Sequence, residues 1–118
     1  MGSIRIGTCS WTDPTLIKAG TFYPQEATSA ESRLNYYSSQ FNLVEVDSSY
    51  YAMPDRRTAT LWAQRTPEDF ILDIKSFRLF THHPTQERVL PPDLRGALPR
   101  ELKEKRRFYY GEVPGEVR

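Results

Sequence analysis

Ile4 and Ile6 alternate with Arg5 and Gly7, the period-two pattern of a short strand over residues 3–8. Residues 9–28 break it with Asp13-Pro14, Gly20 and Tyr23-Pro24. This density of turn formers predicts a long loop carrying Trp11, Phe22 and Tyr23. Ser29 then offers an N-cap, and Ala30, Leu34, Tyr37 and Phe41 recur at helical spacing, so a helix with one apolar face runs to about Asn42. Alternation returns over 43–48, with Val44 and Val46 on one side and Glu45 and Asp47 on the other. A loop over 48–54 carries Tyr50 and Tyr51. Asp55 caps a second helix to about Arg65, with Thr58, Leu61, Trp62 and Arg65 in register, and Thr66-Pro67 stops it. In a third strand over 70–75, Phe70, Leu72 and Ile74 alternate with Ile71, Asp73 and Lys75.

Strands separated by amphipathic helices of this length require crossover connections, which predicts an α/β fold with a parallel sheet. The helices need apolar partners, so Ile4, Ile6, Val44, Val46, Phe70, Leu72 and Ile74 should face them. Arg5, Gly7, Glu45, Asp47, Asp73 and Lys75 then share the opposite face. A doubly wound sheet is helix-covered on both sides and should be apolar on both. A barrel interior accepts charges that pair across neighbouring strands. The expected architecture is therefore a partial (β/α) TIM-type barrel: its first three parallel strands and covering helices over 1–83, then a proline-rich loop and charged helix over 84–118 that read as a truncated insertion. The charged helix is expected over 99–110, beginning at Pro99. At 118 residues the chain is well short of the roughly 250 of a complete barrel, and three strands cannot close, so it is expected to be an N-terminal fragment.

Composition narrows the partners. With 16 Lys and Arg against 15 Asp and Glu, the net charge of +1 supplies no bulk attraction for nucleic acid or anionic membrane. No apolar run approaches the roughly 18 residues of a membrane span, and the first residues are not a signal peptide, so a cytoplasmic protein without membrane contact is expected. Cys9, the one cysteine, excludes an internal disulfide and is expected to be a packing residue.

A set of ordered motifs changes the picture further: Gly7-Thr8-Cys9-Ser10-Trp11 after the first strand, Phe22-Tyr23-Pro24, Glu45-Val46-Asp47-Ser48-Ser49-Tyr50-Tyr51 with Pro54, Trp62 followed by Thr66-Pro67, residues 70–75, and Thr81-His82. Together, over residues 4–82, they resemble the domain of unknown function 72 family, also called YecE-like. That family usually has Gly where Ser10 stands and often Asn where Asp47 stands. The resemblance implies a full-length (β/α) barrel of which this chain holds the first three strands. It also implies that the segment from Pro99 is similar to an insertion of some members. No general activity is implied.

Barrel chemistry sits at the C-terminal ends of strands, and the residue types there set the candidates. Glu45 and Asp47 form a ladder along one strand, about 6–7 Å apart, and either suits a general base. Lys75 suits a Schiff-base amine or, among carboxylates, a permanent cation for a carboxylate or phosphate; an internal salt bridge explains it as well. His82 suits acid–base or anion-binding work, and is preferred to His83 because it falls in the family motif. A metal held by the two histidines with Asp47 or Glu45 is a further option, and no cofactor is specified. Trp11, Tyr50 and Tyr51, with Ser48, suit a wall for a sugar or base, although rim aromatics also seal cores. Five basic residues over 100–107, interleaved with Glu101 and Glu104, read as a solvated helix face. The expected function is binding, hydrolysis or isomerisation of a small phosphorylated or sugar-like ligand. The alternatives are nucleic-acid processing by analogy with metal-dependent barrel nucleases, or an inactive fragment.

Overall fold

The computed structural model describes residues 2–118, which form two compact units. The first runs to Asp47 and resumes over Arg56–Ile74; the second joins Ser48–Asp55 to Lys75–Arg118.

In the first unit, three parallel strands, β1 (Gly7–Cys9), β2 (Leu43–Val46) and β3 (Ile71–Ile74), lie side by side in the order β1-β2-β3. Three helices accompany them: α1 (Pro14–Lys18), α2 (Ala30–Gln40) and α4 (Arg56–Gln64). α2 starts where expected, because the Ser29 hydroxyl accepts the Ser32 N–H and the Ser32 hydroxyl accepts the Ser29 N–H, each at 3.0 Å. It stops at Phe41, whose extended backbone leads straight into β2. Leu34 and Tyr37 of α2 are buried with Val44 and Val46, and Trp62 of α4 packs on the same cluster. Both crossover helices therefore cover one side of the sheet, as the parallel reading requires.

Register fixes what shares the other side. Gly7 pairs with Leu43, which pairs in turn with Ile71, and Cys9 pairs with Glu45, which pairs with Asp73, so these six residues lie on one face. The expected placement of Gly7, Glu45 and Asp73 together is met. That of Cys9 is corrected: its side chain is exposed on this polar face rather than packed.

The expected first strand is corrected as well. Ile4 and Ile6 precede β1 and are 89% and 67% exposed. Among the described residues β1 has β2 as its only neighbour, and β2 begins at Leu43 opposite Gly7, so residues before Gly7 meet no ladder there. Arg5 is held there instead through its side chain, donating to the Asp69 carbonyl at 2.9 Å. The long loop expected over 9–28 contains α1, capped by the Asp13 carboxylate. The Thr15 hydroxyl and the N–H groups of Thr15 and Leu16 hold that carboxylate below the usual range.

The second unit contains the short helices α3 (Ser48–Tyr51), α5 (Pro92–Arg95) and α6 (Arg100–Glu104), with 3₁₀ turns at Glu87–Val89, Tyr110–Glu112 and Gly115–Val117. Its core is Phe77, Leu79, Leu90, Leu98, Leu102, Phe108, Val113 and Val117. Two expectations are corrected here. The loop over 48–54 begins as a helix. The charged helix ends at Glu104 rather than Tyr110, because Lys105 is extended and Phe108 is drawn into an antiparallel bridge with Thr85, their backbones exchanging bonds of 2.8 and 2.9 Å.

Candidate functional site

The segments that leave the carboxyl ends of the strands carry most residues that the sequence singles out. After β1, the Ser10 N–H donates to the Glu45 carbonyl at 2.9 Å, extending the ladder by one residue. Ser10 then turns at φ 67°, a left-handed conformation that costs any residue with a Cβ. The Ser10 hydroxyl partly offsets this by accepting the Thr12 N–H at 3.1 Å. The geometry explains why a glycine suits this position. Beside it, an open cleft of about 280 Å³ is lined by Thr8, Cys9, Ser10, Asp13, Thr15 and Leu16.

Trp11 does not stand as a wall. It is buried, edge-on to Trp62 with ring centroids 5.5 Å apart, and it seals the core of the first unit. The Tyr23 hydroxyl donates to the Trp11 carbonyl, and burial pushes that phenol up to about 12. A folded-state value above the ordinary value of about 10 favours the neutral form. Its contribution to stability is thus intact below about pH 10 and is lost as pH rises from there through about 12. Alkaline titration followed by tyrosinate absorbance should show a step at this high value, and Tyr23→Phe should remove that step.

A larger cleft, about 480 Å³, lies at the opposite, amino ends of the strands, among Ile4, Ile6, Phe41, Asn42, Asp69 and Phe70. Its lining contains one acid and no base, so size alone does not choose the site. Glu45 lies on the polar sheet face and Asp47 is half-buried just after β2.

In the second unit the sequence candidates come together around one ring. Ser49 of α3 is buried and its hydroxyl donates to the Lys75 carbonyl at 2.6 Å. The Tyr50 carbonyl accepts the Arg78 N–H at 3.1 Å. These two bonds tie α3 to the segment that follows β3. The Tyr50 ring is flanked by Tyr51 at 5.0 Å, His83 at 5.6 Å, the Arg78 guanidinium at 5.5 Å and the Lys75 ammonium at 5.9 Å. Ser48 and Tyr51 are exposed at its margin.

The adjacent histidines meet different rings, and it is His83, not the preferred His82, that stands against Tyr50. His82, at φ 59°, is turned edge-on to Tyr110 at 5.5 Å. Arg78 was missed by sequence reading. Its only signal was position, three residues after Lys75 in the segment that leaves β3.

Among the described residues, no group of three or more His, Cys, Asp or Glu is placed to hold a metal. The basic run over 100–107 is partly answered from within: Arg100 pairs with Glu104, and Lys105 pairs with Glu112, which holds the Glu112 carboxyl below its usual range. No helix among the described residues is long and apolar enough to cross a membrane.

These features define a mixed α/β protein with three parallel strands in one sheet. The chain belongs to the family described as "Protein of unknown function DUF72", which it matches over residues 5–108. It is also similar to "UPF0759 protein YunF" of Bacillus subtilis (strain 168), with 33% identity over 102 residues, covering 86% of this chain and 30% of that protein. The chain thus spans less than a third of the length of this curated relative. No solved structure matches it significantly.

Proposed function

We propose that the chain supplies three strand–helix units of a (β/α) barrel, and that the segments leaving its strand carboxyl ends bind a small sugar-like or phosphorylated ligand for hydrolysis or isomerisation. Two features support the barrel: the strands are neighbours in chain order, and both crossover helices cover one sheet face while Glu45 and Asp73 lie on the other. A doubly wound sheet places helices on both faces.

The observation that carries the ligand reading is the Tyr50–Tyr51 pair, edge to face at 5.0 Å with Tyr51 exposed, and an imidazole and two cations around the Tyr50 ring. Aromatic faces bordered by convergent polar groups are the usual furniture of small-molecule sites. Tyr50, Tyr51 and Ser48 are the binding residues of this reading, with Lys75 as a cation, and His82 the alternative imidazole to His83. In the first unit, Glu45 and Asp47, the carboxylates at the carboxyl end of the central strand, are the groups chemically suited to a general base.

Titration of the chain with neutral sugars and sugar phosphates, followed by amide and aromatic NMR shifts, tests this. Saturable shifts at Tyr50, Tyr51 and His83 are expected. Shifts confined to Ile4, Ile6 and Phe70, or no shifts at all, would remove the site.

A further inference from the structure

Packing leaves Arg78 chemically unfinished. Its Nε is buried and has no hydrogen-bond partner among the described residues. A guanidinium N–H withdrawn from water without an acceptor is uncommon in folded proteins, because its lost hydration is not returned. The backbone around it, by contrast, is fully engaged. The Arg78 N–H donates to Tyr50, and the Arg78 carbonyl accepts the His83 N–H at 3.0 Å and the Thr81 hydroxyl at 3.2 Å. The side chain is therefore held in place by bonds that do not satisfy its own head group, and it makes no ion pair among the described residues.

The surroundings say what would satisfy it. Lys75 and Arg78 bring two positive charges within 6 Å of one ring centroid, at 5.9 and 5.5 Å. Each cation is attracted to the electron-rich ring, which gathers two cationic side chains at one place. His83 completes the set. Thr81 Oγ1 engages its Nδ1 at 2.9 Å, which leaves Nε2 as the ring nitrogen for a ligand. Ser49 fixes the carbonyl of the residue from which the Lys75 side chain projects. A carboxylate, with two oxygens and one charge, answers a single guanidinium well. A phosphoryl group brings up to two charges and three terminal oxygens, enough to accept from a guanidinium, an ammonium and an imidazole together.

We propose that Arg78, with Lys75 and His83 around Tyr50, binds the phosphoryl group of a small phosphate monoester. This rests on the ligand site proposed above and assigns its anionic half, with Arg78 as the main holder.

The probe is inorganic phosphate titrated into the 118-residue chain, with acetate, a neutral sugar and a short single-stranded oligonucleotide in parallel. Binding is followed by the Arg78 Nε–Hε resonance and the Tyr50 and His83 ring signals. Phosphate is expected to shift all three saturably. Arg78→Gln should weaken it by about tenfold or more, and Lys75→Gln by a smaller factor. If Arg78→Gln fails to fold, Arg78→Lys and the exposed Lys75→Gln decide the matter, and both must weaken phosphate binding.

Unchanged affinity in these variants, acetate bound as tightly as phosphate, or tight and steeply salt-dependent binding of the oligonucleotide in place of phosphate would each overturn the assignment. Neutral sugars that move Tyr50 and Tyr51 while phosphate leaves Arg78 unmoved would overturn this inference and spare the ligand site. Silence from every probe would remove both.

Discussion

Gly7→Ala is expected to destabilise the first unit by about 3 kcal/mol, at the upper end of the range for overpacked cores. A Cβ at this position would lie 2.0 Å from the Leu43 carbonyl oxygen and 2.7 Å from its carbon. Both are backbone atoms, and Leu43 is the residue paired in register with Gly7. No rotamer change can relieve the contact, so β1 must move away from β2. That movement would strain two further bonds, from Ser10 N–H to the Glu45 carbonyl and from the Tyr37 hydroxyl to the Leu43 carbonyl. Urea unfolding of the two proteins measures the effect. A loss within about 0.5 kcal/mol, the size of an ordinary surface change, would show that the strands do not approach as described.

Replacement of Tyr37 has the second largest expected effect, and it separates packing from hydrogen bonding. The residue is fully buried. Its ring packs against Phe41 at 5.0 Å and Phe22 at 6.0 Å. Its hydroxyl accepts the Thr8 N–H at 2.7 Å, meets the Thr8 hydroxyl at 2.8 Å and donates to the Leu43 carbonyl at 3.2 Å. One oxygen thus joins α2 to both β1 and β2. Tyr37→Phe should cost about 2 kcal/mol, since it keeps the ring and strips partners from groups that the fold has partly withdrawn from water. Tyr37→Ala should cost about 3–5 kcal/mol by adding a cavity. Tyr36→Phe is the control. Its ring packs on Phe22 and Tyr23, and this change should stay within about 0.5 kcal/mol. Equal losses for Tyr36→Phe and Tyr37→Phe would refute the bridging role.

Both tests bear on the sheet of the first unit, and parts of that sheet were readable in advance. α2 followed from Ser29 and the Ala30, Leu34, Tyr37, Phe41 spacing because caps and a 3.6-residue period are local properties. β2 was legible for a similar reason: Val44 and Val46 are buried by the helix that precedes them, so burial matches the alternation. β3 formed where its alternation placed it, but Ile74, expected against the helices, is 50% exposed. The same alternation misled at Ile4 and Ile6. A two-residue period marks a strand only where a neighbour supplies a ladder, and the sequence does not say that β2 begins opposite Gly7.

The candidate site divides in the same way. Tyr50, Tyr51 and Lys75 could be nominated from their place after a strand, and the structure gathers them. His83 and Arg78 could not be preferred to His82, because which side chain faces Tyr50 depends on the left-handed turn at His82 and on the bond from Arg78 N–H to the Tyr50 carbonyl. The helix expected over 99–110 ended early for a comparable reason. Local propensity favours continuation through Lys105, Arg106 and Arg107, and the pairing of Phe108 with Thr85 overrides it.

By itself, then, the order of residues determined the alternation of strands and helices, the parallel sheet that such alternation demands, and the family to which the chain belongs. These rest on periodicity and on contacts between near neighbours. Tertiary structure alone decided where β1 starts, that Cys9 faces solvent, and that Arg78 holds an unanswered donor beside Tyr50. Each of these depends on which distant backbone happens to supply, or withhold, a hydrogen-bond partner.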